Sequence, residues 1–189
     1  MGNLLDVKGT LYGTTDWGGQ KFSSYLGGGT VFAVSMTVSE RTLYAFLGEQ
    51  YSPNGAAPEA GFVNVKGALY GTTGYGGQNF GGTVFSITTS GYLTLLHTFG
   101  SGSDGSRPLA PLLSVRGALY GTTSMGGAYS KGTVFSMTPS GTETVLHSFG
   151  YGSDGATPLA GLVDVRGTLY GTTSAGGAYG GGTVFALKP

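Results

Sequence analysis

Leu119-Tyr120-Gly121-Thr122-Thr123, followed after a loop by Gly132-Thr133-Val134-Phe135, decides the fold because the chain repeats it. The first segment returns at Leu11, Leu69 and Leu169, and the second at Gly29, Gly82 and Gly182. From the second copy onward both recur every 50 residues. The first interval is longer, 58 residues for one marker and 53 for the other. Its extra residues fall in polar or glycine-rich stretches, Lys21 to Gly28 and Gly48 to Asn54. Insertions confined to loops are what a repeat architecture tolerates.

Around these markers each full unit reads as four short strands. In the third unit they are Leu112 to Val115, Ala118 to Thr122, Gly132 to Thr138 and Glu143 to Phe149. Arg116-Gly117 and Pro139-Ser140-Gly141 are turns by composition. In the fourth strand Val145 and His147 alternate with Leu146 and Ser148. No segment carries a helical apolar stripe ten residues long, so helix content is expected near zero. Four-stranded units of this length read as all-β propeller blades. One such sheet cannot bury its faces alone and must lean on a neighbour. A β-solenoid is the competing architecture, but the two halves of each unit do not resemble each other.

The blades are expected at about 4–50, 61–100, 111–150 and 161–187, within one repeat domain. The last lacks its fourth strand, giving 15 strands. Three assemblies follow: a four-bladed monomer ring, a homodimer ring of eight blades, or an excised or engineered piece of a longer array.

Composition excludes several classes. Lys plus Arg is 9 and Asp plus Glu is 9, without a basic run, so nothing favours nucleic acid. Charged residues are only 10%, and no apolar run reaches the length of a membrane span. Cysteine is absent, which removes disulfides, thiol nucleophiles and Cys-ligated zinc. The 39 glycines show no third-residue period, which rules out collagen. The 12 Tyr and 10 Phe argue against a disordered glycine linker. Met1 to Gly9 has neither the basic cap nor the apolar core of a signal peptide.

Tyr-Gly-Thr-Thr, a Gly-Gly loop, Gly-Thr-Val-Phe, a Leu-His-(Ser/Thr)-Phe strand, Asp-Gly-x-x-Pro and Gly-Leu-Val together resemble the bacterial tandem Gly-Leu-Val (GloVer) repeat. The likeness runs from Leu4 to Leu187, with a looser similarity to two-component-regulator and kelch-like propellers. It implies a propeller-type fold, a secreted or cell-envelope location, and a scaffold or binding role. Unit one departs from the pattern. Leu43-Tyr44-Ala45-Phe46 replaces Leu96-His97-Thr98-Phe99, and Asn54-Gly55 stands for Asp-Gly. Pro111 also stands where Gly161 does.

Several residues are candidates for chemistry. Lys8, Lys66, Arg116 and Arg166 hold one equivalent position, each before a glycine. They form either a basic rim for an acidic ligand or a set of solvated hairpin tips. Trp17 and Tyr75 align in the loop after Thr-Thr and suit stacking on a sugar or packing between blades, with Met125 and Ala175 in the other units. Phe80, Tyr129 and Tyr179 follow later in that loop, with Phe22 or Tyr25 in unit one. Asp104 and Asp154 brace their own turns or ligate calcium, and with one carboxylate per loop the turn is favoured. His97 and His147 lack a third metal ligand. No catalytic set is visible, and Glu40, Glu49, Glu59 and Glu143 sit at variable positions. No metal or cofactor is called for. The expected function is a non-catalytic repeat scaffold or binding module. The alternative is a carbohydrate-binding or carbohydrate-active protein with a site at the central channel. Possible partners are a second copy, a glycan or a protein.

Overall fold

The computed structural model describes residues 2–19, 27–48 and 52–189. Among them there is no helix, so none is long and apolar enough to cross a membrane. Blade 1 is the meander β1 (Leu5–Val7), β2 (Thr10–Thr15), β3 (Thr30–Val34) and β4 (Glu40–Ala45). Blade 2 is β5 (Val63–Val65), β6 (Ala68–Thr73), β7 (Thr83–Ile87) and β8 (Leu93–Thr98). Blade 3 is β9 (Leu113–Val115), β10 (Ala118–Thr123), β11 (Thr133–Met137) and β12 (Glu143–Ser148). A two-residue strand, β13 (Gly155–Ala156), pairs with β16 (Ala175–Gly176) where the linker enters the next unit. Blade 4 is three-stranded: β14 (Val163–Val165), β15 (Thr168–Thr173) and β17 (Thr183–Leu187). Separate antiparallel sheets rather than continuous coils set the chain apart from a solenoid. Much of each inserted stretch of unit one lies outside the described residues, as do Phe22, Tyr25 and Glu49.

Period-two alternation gives each sheet two faces. On blade 2, Leu69, Phe85 and Ile87 point forward and meet Tyr12, Val31 and Ala33 on the rear of blade 1. Tyr70 and Val84 point to the rear and meet Leu119, Phe135 and Met137 of blade 3. The contact recurs where Val134 of blade 3 meets Leu169 and Phe185 of blade 4. A phenylalanine just past each fourth strand reaches the next blade, with ring centroids 5.4 Å apart for Phe46–Phe85, 5.1 Å for Phe99–Phe135 and 5.0 Å for Phe149–Phe185. The core is therefore a row of interfaces between blades.

The fourth strand does not alternate simply. Val134 pairs with His147 and Phe135 with Val145, leaving Leu146 as an extra residue in a bulge. The same shift occurs at Val31/Phe32 and Val84/Phe85. Each bulged residue, Leu43, Leu96 or Leu146, packs against the interface behind its blade. A bulge re-aims side chains in this way, and here it corrects the unbroken alternation expected for this strand.

The linkers staple the blades together. Ala57, Arg107 and Thr157 each precede a proline and have φ of 55°, 58° and 56°. Their N–H groups donate backward to the carbonyls of Gly28, Gly81 and Lys131 at 2.7–2.8 Å. Their carbonyls accept from Gly74, Ser124 and Ser174 of the following unit at 2.9–3.1 Å. One residue thus satisfies both neighbours, at the cost of a left-handed backbone.

Among the described residues the four blades do not close on themselves. Val31, Val84 and Val134 are buried, yet the equivalent Val184 on the rear of blade 4 is 79% exposed. On the front of blade 1, Leu4 is 54% exposed, while its counterparts Phe62, Leu112 and Leu162 are buried. Of the three assemblies open to the sequence, the closed four-bladed ring is not the one this chain forms by itself; its blades make an open row.

Candidate functional site

Lys8, Lys66, Arg116 and Arg166 occupy the tips of the four inner hairpins, with φ between 52° and 55°. A glycine follows each, and three of the four glycine N–H groups donate to Asp6, Asn64 or Asp164 at 2.8–3.0 Å. All four cations are exposed. Arg116 and Arg166 share a hollow of about 420 Å³ with Asp164 and Lys188. Trp17 and Tyr75 lie beyond the other end of the adjoining strand, six residues or roughly 20 Å away. The basic tips and the aromatic loops are therefore two opposite ends, not one site.

At the aromatic end the second threonine of each pair bonds across the sheet. The Oγ1–Oγ1 distances are 2.8 Å for Thr15–Thr30, Thr73–Thr83 and Thr123–Thr133, and 2.9 Å for Thr173–Thr183. In units two to four the incoming linker crosses just beyond, pairing Ala56 with Tyr75, Ser106 with Met125, and Ala156 with Ala175. Among the described residues no strand crosses Trp17 in this way, and the side chain is 54% exposed.

A hollow of about 470 Å³ opens there, lined by Thr14, Thr15, Asp16, Trp17, Pro58 and Glu59. Asp16 replaces Gly74, Ser124 and Ser174, and Glu59 replaces Leu109 and Leu159, so both carboxylates are peculiar to unit one. Asp16 Oδ1 is buried and has no hydrogen-bond partner among the described residues. Burial holds the Glu59 carboxyl above the usual range, the Asp16 charge adds to this, and Arg107 opposes it. The Arg107 guanidinium lies 4.5 Å over the Tyr75 ring and bonds the Tyr75 hydroxyl, while its Nε is buried and unpartnered. Glu59 also borders a second hollow of about 540 Å³, lined by lead-in segments of all four units, including Leu4, Phe62, Pro111 and Gly161. The aromatic site thus adjoins the axial space.

The histidines take part in local braces. His97 Nε2 lies 3.2 Å from Asp104 Oδ2, and His147 Nε2 lies 2.8 Å from Asp154 Oδ2. Asp104 Oδ1 also accepts from the N–H groups of Gly100 and Ser101, closing its own turn. In unit one Asn54 Nδ2 donates to the Tyr44 hydroxyl at 2.7 Å. The two departures of that unit are thus one exchanged pair, Tyr–Asn for His–Asp. Among the described residues no cluster of three His, Asp or Glu could hold a metal.

Glu143, at the start of β12, lies near enough to Asp104 to feel its charge. Burial, with a contribution from Asp104, raises its carboxyl to about 7, and its Oε1 is buried and unpartnered. A raised native value favours the protonated form. This contribution is complete below pH 4.5 and is lost as the pH rises through about 7. Glu143→Gln is expected to melt above the parent at pH 8 and to lose that advantage at pH 4. Paired thermal melts check this, and an advantage unchanged by pH would contradict it.

The chain belongs to the Gloeobacter/Verrucomicrobia repeat family, whose model matches residues 1–188. The family's name refers to those organisms, not to the Gly-Leu-Val segment. None of the curated proteins matches the chain. Among solved structures, virginiamycin B lyase from Staphylococcus aureus is similar at 16% identity and a TM-score of 0.47, over 82% of this chain and 48% of that one. A GH32 β-fructofuranosidase from Bombyx mori is similar at 11% identity and 0.48, over 90% and 40%. Sucrose-6-phosphate hydrolase from Lactobacillus gasseri is similar at 13% and 0.47, over 87% and 37%. The chain spans less than half the length of each of these proteins.

Proposed function

We propose that the chain is a carbohydrate-binding blade array whose site is the hollow at Trp17. The supporting observation is the exposed indole of Trp17 beside Asp16 and Glu59, at the edge of the axial space. A flat indole offers an apolar platform to the C–H face of a sugar ring, and carboxylate oxygens accept from its hydroxyls. A concave site with a few convergent polar groups and a perturbed carboxyl is the usual form of a small-ligand site. The role we assign is binding, with turnover left to the assay for released reducing ends. A secreted or envelope setting suits such a role.

Trp17 is the sole tryptophan, so its emission reports the site directly. Titration with cello-, xylo-, fructo- and chito-oligosaccharides is expected to give a saturable shift with at least one class. Asp16→Asn is expected to weaken that response. Trp17→Ala, read by calorimetry, is expected to weaken binding by about tenfold or more. Absence of binding to every class would overturn the reading, and release of reducing ends would overturn the assignment of binding alone.

A further inference from the structure

We infer that the rear of blade 4 is a docking surface for the front of blade 1 of a second copy, so that two chains complete one ring of eight blades. The chain itself shows what covers each face. The interface between rear and front is formed three times, by blades 1 and 2, 2 and 3, and 3 and 4. In each, a rear valine from a Gly-Thr-Val-Phe segment is buried against forward-facing residues of the next sheet.

On blade 4 the same rear positions carry Val163, Val165, Tyr170 and Val184, all exposed. They correspond to Val63, Val65, Tyr70 and Val84, which belong to the interface of blade 2 with blade 3. The front of blade 1 carries Leu4, Leu11, Phe32 and Val34, where blade 2 has Phe62, Leu69, Phe85 and Ile87. Each open face therefore carries half of an interface built elsewhere in the chain, and the halves match by residue type and place. Thr172 Oγ1 adds a polar counterpart. Thr14, Thr72 and Thr122 donate to the carbonyls of Ala60, Ala110 and Ala160 across the three internal interfaces, while Thr172 is exposed.

The pairing is head-to-tail, because rear and front are different surfaces. Such contacts close only as a ring or run on as a filament. Each copy of this chain contributes four blades, and its open faces exclude closure at four. Eight lies within the usual range of about four to eight blades, and twelve lies outside it. The contact between copies lacks a Phe149-type ring, because blade 4 has three strands. It is therefore weaker than the internal contacts and gives a concentration-dependent dimer.

Light scattering coupled to size exclusion, with the chain at about 100 μM, reads the assembly directly. The unaltered chain is expected at twice 19.1 kDa. Val184→Glu and Leu4→Lys change side chains that are exposed in the single chain. Each variant is expected to keep its β-sheet circular dichroism and run as a monomer. Mixing them is expected to restore a dimer, because one seam then joins an intact rear to an intact front and the other sets the introduced carboxylate against the introduced ammonium. A monomeric parent would overturn the inference. So would a dimer retained by either variant alone, which would mean like faces pair with like, or a mixture that stays monomeric.

Discussion

Phe135→Ala is expected to cost about 3–5 kcal/mol of unfolding free energy, the range for truncating a buried aromatic. In a chain of this size that lowers the melting temperature by roughly 10 °C. Phe135 is fully buried between Phe99 of blade 2 and its own sheet, so its removal opens a cavity in the middle interface. Phe32 occupies the same place in Gly-Thr-Val-Phe, but no described residues of another blade cover the front of blade 1, and the side chain is only half-buried. Phe32→Ala is therefore expected to cost less than about 2 kcal/mol. Thermal or denaturant melts of the two variants at low protein concentration separate the cases. Equal losses would mean that the front of blade 1 is as well covered as the internal fronts.

Gly132→Ala is the second large effect. Gly132 has φ of 99°, and its carbonyl accepts from the N–H of Phe149 at 2.9 Å. A methyl group there would sit 2.3 Å from the Thr123 carbonyl oxygen and 2.7 Å from Pro158 Cδ. One obstacle belongs to its own blade and the other to the linker entering blade 4, so neither can yield without disturbing the interface. The expected cost is about 3 kcal/mol or more. Gly117→Ala is the comparison. Its φ is 87° but nothing lies near the added carbon, so only the backbone term of about 1 kcal/mol applies. Denaturant midpoints of both variants measure the difference, and similar midpoints would contradict the close approach of linker and blade.

The blades were legible because their cues are local. Arg116-Gly117 and its copies mark hairpins, and Val134 and Phe135 alternate across a half-buried pleat. The bulge at Leu146 was not legible, because an extra residue on one strand shows only against its partner. The His97–Asp104 brace spans seven residues and left a signal. Wherever histidine became Tyr44, aspartate became Asn54.

Trp17 and Tyr75 were recognisable as loop aromatics, but the acidic lining was not. Asp16 and Glu59 are 43 residues apart and meet because the first linker returns across the top of blade 1. Their shared sign was that each breaks its column in the repeat, Asp16 against Gly or Ser and Glu59 against Leu. The separation of Lys8 from Trp17 was implicit in the strand between them, which fixes opposite ends once it is read as extended.

The central claim is that each sheet is held by its neighbours, so protection should follow position in the row. Native-state hydrogen exchange, resolved by blade and recorded on the dilute monomeric chain, measures this directly. In a row of neighbour-stabilised units, the amides of β6, β7, β10 and β11 should be the slowest and should open together. Those of β14, β15 and β17 should exchange faster, because blade 4 is covered on one side only. Equal protection in blades 3 and 4, or blades opening independently of one another, would contradict the claim.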